Sequence, residues 1–327
     1  MSLTQNLYNV LKGLPIEEGV MRQRSYGRDR ELTFRMFFTM FMLGMVYVFF
    51  LGLLFMAGID PIIVLVIAIV MAAFQYYGSD KIVLMTTGAK VVTPEEEPKL
   101  HGMVERLSAM ADIPKPKKIA VMETHVPNAF ATGRNPKNSV VAVTRGLMSR
   151  LNEKEIEAVL AHELTHVKNR DVMVLTWASV IVIMAGFLMQ MMFWMSLFGG
   201  FGGGGRGRSS GQAMMIMMMV WVGTIIVYYV SQLLIMTLSR YREFAADRGG
   251  AIITGAPMQL ASALSKISDD MYKIPEKDMR QVQHANAFFI IPALKGGRAA
   301  SMFSSHPAIE KRIERLKNMQ RDMETGF

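Results

Sequence analysis

From Phe34 to Ala57 the chain is almost entirely apolar, with a single charge, Arg35, close to the start of the run. Three comparable runs follow, at Ile62 to about Gly78, Val172 to Phe198 and Ala213 to Leu238. No other feature narrows the possible folds so far. About 20 apolar residues are what a helix needs to cross the ~30 Å hydrocarbon layer, where every backbone group must be satisfied internally. The first run is too long for a signal-peptide core and lacks a small-residue cleavage pattern. The expectation is a mainly α-helical integral membrane protein with about four transmembrane helices.

Charge sets the orientation. Lys12, Arg22, Arg24, Arg28 and Arg30 precede the first run, and the turn Gly58-Ile59-Asp60-Pro61 carries no basic residue. The N-terminus is therefore expected in the cytosol, and an even number of spans returns the C-terminus to the same side. The net charge of +9 resides in segments flanking the spans, and no basic run is interleaved with aromatics. Nucleic acid is thus not an expected partner; the lipid bilayer is. Cysteine is absent, which excludes disulfides, Cys-type metal sites and thiol nucleophiles. Met214, Met215, Met217, Met218 and Met219 read as packing or lipid-facing hydrophobes rather than soft metal ligands.

The runs divide the chain into a cytosolic segment 1–33, a helix pair 34–78, a polar region 79–171, a membrane hairpin 172–238 and a polar region 239–327. Gly199 to Gly211 lacks the Gly-Lys-Ser/Thr ending of a phosphate loop and reads as a flexible connection. In the first polar region Leu100, Met103, Val104, Leu107 and Met110 have helical spacing, and Ile119–Met122 and Ser139–Thr144 suggest a small sheet. Asn152 with Glu155 forms a capping-box start for a helix striped by Ile156, Val159, Leu160, Leu164 and Val167. After Pro307, Ile309, Ile313 and Leu316 mark an amphipathic helix.

That striped helix carries His162-Glu163-Leu164-Thr165-His166. Residues i and i+4 share a helix face, so both imidazoles can reach one zinc ion, while Glu163 is swung aside to act on water as a general base. A third protein ligand is then needed. The metzincin extension requires Gly at 169 and His at 172, and this chain has Asn169 and Val172. A carboxylate on a later helix is the other solution, and Glu243 supplies it, with Asp247 one turn on to accept a free imidazole N–H. His306, in Ser305-His306-Pro307, is a candidate donor to the transition state.

At these residues the sequence resembles the HtpX heat-shock membrane proteases, relatives of the type I CAAX prenyl proteases. The resemblance spans nearly the whole chain. It includes Pro127-Asn128-Ala129-Phe130-Ala131-Thr132-Gly133, Val141 to Leu147, the HExxH helix, Glu243 to Asp247, and Ser305-His306-Pro307 with Arg312-Ile313. It implies a cytosolic α+β catalytic domain of the zincin (gluzincin) kind and one zinc ion per chain. His162, His166 and Glu243 would be its ligands, Glu163 the base and His306 the transition-state donor, with Arg312 in support. It also implies that a strand around Asn128, Ala129 and Phe130 receives an extended substrate by strand addition. The implied role is quality-control cleavage of misfolded or damaged membrane proteins, or of unfolded polypeptides, in a prokaryotic plasma membrane. Two rivals are weaker. An intramembrane site-2-type protease draws a ligand from an Asp-Gly segment, and this chain has no such dipeptide. A zinc-holding scaffold has no use for Glu163.

Overall fold

The computed structural model describes residues 29–56, 58, 60–197, 208–273 and 306–325. Most of the Gly-rich connection expected at 199–211 lies outside them. The first membrane helix, α1 (Arg30–Met56), is followed after the Gly58 turn by α2 (Pro61–Thr87), whose first turn is capped by the Asp60 side chain. Helix α2 runs well past Gly78, where the apolar run stops. Gly78-Ser79-Asp80-Lys81 changes the polarity but contains no proline, so the helix propagates until Gly88 takes up left-handed geometry at φ 65°.

A four-stranded sheet comes next, with β1 (Lys90–Val91), β2 (Lys118–Met122), β3 (Ala129–Gly133) and β4 (Ser139–Thr144) in the order β1-β2-β4-β3. Helix α3 (Pro98–Met110) lies between β1 and β2 in the chain. Strands β2 and β4 are parallel, and β3 pairs antiparallel with β4, so β3 forms one edge of the sheet. Val83 of α2 shares a buried cluster with Ala120, Met122, Phe130 and Ala142, which clamps the end of that helix against the sheet. The alternate residues Ile119, Val121, Val141 and Val143 are equally buried. Covering on both faces explains why β4 is buried along its length and why Val140 to Val143 form an unbroken apolar run rather than alternating.

A short helix α4 (Arg145–Arg150) leads into α5 (Glu153–Lys168), α6 (Asp171–Leu197), α7 (Arg208–Thr254), α8 (Pro257–Lys273) and α9 (Ile309–Thr325). Among the described residues three helices are long and apolar enough to cross a membrane: Arg30–Met56, Asp171–Trp194 and Met214–Thr254. Leu43, Phe50, Leu53 and Leu54 of α1 pack with Ile181, Ala185 and Leu188 of α6 and with Val220 and Val227 of α7. Phe34, Phe37, Phe41, Phe55, Met214, Met215 and Trp194 face outward, an exposed apolar girdle that water does not tolerate and lipid does. Helix α7 has 47 residues, so at 1.5 Å per residue it is ~70 Å long, more than twice the ~30 Å hydrocarbon layer. Its C-terminal part therefore projects as a rigid continuation of the membrane helix.

Candidate metal centre and active site

Helix α5 begins as its residues dictate. The Asn152 side chain accepts from the Glu155 amide at 2.9 Å, and the Glu155 carboxylate accepts from the Asn152 amide at 2.9 Å. The helix is buried on nearly all sides, with Val159, Leu160, Ala161 and Leu164 fully covered. One face meets β3 and another meets the projecting part of α7. A Cβ on Gly250 of α7 would lie 2.8 Å from the His162 backbone nitrogen, and one on Gly249 would lie 2.4 Å from the Thr165 side chain. The glycine pair lets the two backbones approach closely enough for Glu243 to reach the histidines.

The reach is direct. Nε2 of His162 and Nε2 of His166 are 3.1 Å apart, and the Glu243 carboxylate oxygens lie 3.7 Å from the first and 3.5 Å from the second. One ligand atom from each of the three residues falls within 4.8 Å of the others. On the far side of each ring a carboxylate waits. Nδ1 of His162 is 3.0 Å from Asp247, and Nδ1 of His166 is 2.6 Å from Asp171. An aspartate can only accept, so the hydrogen bond to Asp171 puts the proton of His166 on Nδ1, and the close approach of Asp247 favours the same tautomer for His162; each Nε2 atom then presents a lone pair to the other. Two facing lone pairs at 3.1 Å beside a carboxylate repel unless a cation lies between them. Tetrahedral bonds of about 2.0–2.1 Å place ligand atoms ~3.3–3.4 Å apart, close to the separations found here. The residues fit a metal ion.

Charged side chains from α9 and α7 brace this group. Arg312, only 1% exposed, donates from Nε and Nη2 to the two oxygens of Asp247 at 2.8 and 2.6 Å, and its Nη1 lies 3.3 Å from Glu243. These two buried acids hold the guanidinium charged and raise its pKa further. His306 places Nδ1 3.3 Å from Glu243. Burial lowers the pKa of His162, keeping its imidazole neutral as a ligand requires.

Glu163 points the other way, toward the sheet. Its Oε2 accepts the backbone N–H of Ala131 at 2.9 Å. Burial pushes its carboxyl up to about 7. In the metal-free protein, an acid whose folded pKa exceeds its unfolded value binds extra protons when folded, so stability falls as pH rises from about 4.5 to about 7. Glu163→Gln abolishes this. The metal-free variant should be more stable than the parent by up to ~3 kcal/mol at pH 8, with little difference at pH 4.5, as thermal unfolding in detergent would read.

Asn128, Ala129 and Phe130 are all buried. The Asn128 main chain is tied to Thr144, its amide donating to the Thr144 hydroxyl Oγ1 and its carbonyl accepting from the Thr144 amide, and Phe130 lies in the buried cluster of the sheet. Since the Ala131 amide turns away from β4, strand alternation puts the main chain of Ala129, Ala131 and Gly133 on the outer edge of the sheet. The expected strand around Asn128 thus begins one residue later, and its outward groups are those of every second residue.

Two residues of this site escaped the sequence reading. Asp171 orients His166, and Arg242 pairs with Asp171 while donating to the Asn169 carbonyl at 2.9 Å. Arg170, at φ 54°, makes the sharp turn that brings Asp171 back against the histidine. A lone acid opening an apolar run was the available signal. Asp171→Ala should weaken metal binding by about 10–100-fold and Asp171→Asn by less, measured by competition with a chromophoric chelator.

Peptidase family M48 matches residues 94–320. The chain is 53% identical over 302 residues to a protease HtpX homologue of Moorella thermoacetica, covering 92% of this chain and 99% of that one. It is 52% identical over 301 residues to protease HtpX homologue 2 of Methanosarcina acetivorans, with the same coverage. Its fold resembles the crystal structure of S. mikatae Ste24p, with a TM-score of 0.51 at 16% identity, covering 88% of this chain and 66% of that longer one. The chain belongs to peptidase family M48 and is an HtpX-like membrane metalloprotease.

Proposed function

We propose that the chain is a zinc-dependent endopeptidase that cleaves misfolded or damaged membrane proteins at the cytosolic face of a prokaryotic plasma membrane. The observation that carries this reading is the meeting of His162, His166 and Glu243 beside a buried carboxylate, Glu163, whose other neighbour is an outward-facing strand edge. Two imidazoles and one carboxylate form a donor set suited to zinc. A divalent cation held there supplies Lewis acidity to the reacting water and carbonyl.

The chain's own residues do the rest. The outer edge of β3 pairs with an extended substrate through main-chain groups, so register is set with little regard to side chains. Glu163 takes a proton from the attacking water, keeps it shielded, and delivers it to the departing amine nitrogen. Its raised pKa, which a neighbouring cation draws down, leaves it able to hold that proton briefly near neutral pH. His306 donates to the oxygen that gains charge as water adds. Arg312 keeps Asp247 ionised, and Asp247 in turn holds the His162 ring in place.

The orientation rests on the five basic residues ahead of the first apolar run, the last of which, Arg30, opens α1. A fourth passage through the bilayer belongs to α2, whose Ile62, Val66, Val70 and Phe74 are exposed apolar side chains. The test is cleavage of casein by the purified protein in detergent with zinc. The native chain should cut it and Glu163→Gln should not. Cutting by both would remove Glu163 from the mechanism, and cutting by neither would favour a scaffold.

A further inference from the structure

We propose that the preferred substrates are polypeptides anchored in the bilayer, cut about three to five residues from its surface, because the receiving strand edge runs from the metal centre to the lipid boundary. The inference rests on the proteolytic reading above and specifies where, relative to the bilayer, a membrane-anchored substrate is cut.

The strand sets the direction. Ala131 on the outer edge of β3 donates to Glu163, so the reacting bond lies against this residue. Three residues further on, the Arg134 guanidinium sits over the Tyr77 ring at 5.5 Å. Tyr76 and Tyr77 close the apolar part of α2, immediately before Gly78-Ser79-Asp80-Lys81. Tyrosines in that position mark the headgroup level. The two strand steps from Ala131 to Gly133 and the bend at Arg134, at up to ~3.3 Å per residue, make the distance from the reacting bond to the boundary at most ~10 Å.

Two other elements give the same level independently. On α7 the apolar run ends at Leu238, and Glu243 follows five residues later, a rise of ~8 Å. On α6 the apolar run begins at Val172, and the residue before it, Asp171, holds His166 at 2.6 Å. The arrangement is rigid, since Val83 of α2 is buried with Phe130 of β3. The strand cannot rise from the membrane without its helix. A chain leaving the bilayer as an extended strand therefore reaches the reacting position after about three residues, and its anchor confines the rest of it near the edge.

The test uses the full chain, reconstituted with zinc into phospholipid vesicles. The substrate is a single membrane helix followed by a long linker of one repeating, unstructured sequence, so that no bond is favoured chemically. Mass spectrometry of the products should place cuts within about three to five residues of the boundary. Extending the hydrophobic stretch by about one turn of leucines should move the cut outward by the same number of residues. The linker peptide without its anchor should be cut at least about tenfold more slowly. Cuts scattered along the anchored linker, or equal rates with and without the anchor, would overturn the inference while leaving proteolysis intact. If neither the anchored substrate nor casein is cut, the proteolytic reading fails and this inference with it.

Discussion

Glu243→Ala is expected to empty the metal centre, whereas Glu163→Gln is expected to leave it full and still abolish turnover. Glu243 contributes the carboxylate that sits 3.5 and 3.7 Å from the two Nε2 atoms, and no other acid among the described residues joins that group. Loss of a supporting residue behind a ligand already costs about 10–100-fold in affinity, so loss of the ligand itself should exceed ~100-fold. The fold should survive, because Arg312 keeps both hydrogen bonds to Asp247. Glu163 instead binds the Ala131 amide and stands clear of the ligand group. Its amide isostere keeps the shape but cannot take a proton, and rates should fall by about 10²–10⁴-fold. Elemental analysis of the two purified variants separates the cases. Equal metal in both would remove Glu243 from the ligand set.

Adding one methyl group at Gly250 should be almost as damaging, although that residue touches no substrate. Its Cβ would lie 2.8 Å from the His162 nitrogen, 3.0 Å from the His162 Cα and 3.2 Å from the Ala161 carbonyl carbon. All three are backbone atoms of a buried helix and cannot rotate away. Helices α5 and α7 must therefore separate, carrying the histidines from Glu243. Overpacking of this kind costs about 1–3 kcal/mol of stability, and a misplacement of ~1 Å at the reacting centre costs about 10²-fold in rate. Gly102→Ala, in the middle of α3 with nothing within 4 Å, is the control. It should stabilise by up to ~1 kcal/mol through helix propensity and leave the rate unchanged. Thermal unfolding and casein cleavage of both variants make the comparison, and normal cleavage by Gly250→Ala would show that the helices have room to spare.

The histidine pair was legible in the chain because i,i+4 spacing on one helix is a local fact that no packing can undo. The same holds for the cap at Asn152 and for the amphipathic stripe of α9. The ends of α2 and α7 were harder to read. Hydropathy changes at Gly78 and Leu238, but a helix stops only at a residue that breaks hydrogen bonding or adopts left-handed geometry, and those come at Gly88 and Gly255. Glu243 thus rides on the membrane helix itself rather than on a separate element after it. Strand β3 was invisible to periodicity, since Ala129-Phe130-Ala131-Thr132-Gly133 has weak strand propensity, and the resemblance alone pointed to it. Its pairing with β4 makes it a strand.

From its linear order the chain determined which segments seek lipid, which helix carries two imidazoles on one face, and that a metal must be held by nitrogen and oxygen donors. Each follows from composition or from spacing within a single element. Tertiary structure decided which carboxylates stand behind those imidazoles, that two glycines allow the helices to meet, and that a strand edge lies beside Glu163. These depend on atoms brought together from α5, α6, α7, α9 and β3, up to 150 residues apart in the case of His162 and Arg312. Contacts of that kind arise from burying several faces at once, and no local pattern encodes them.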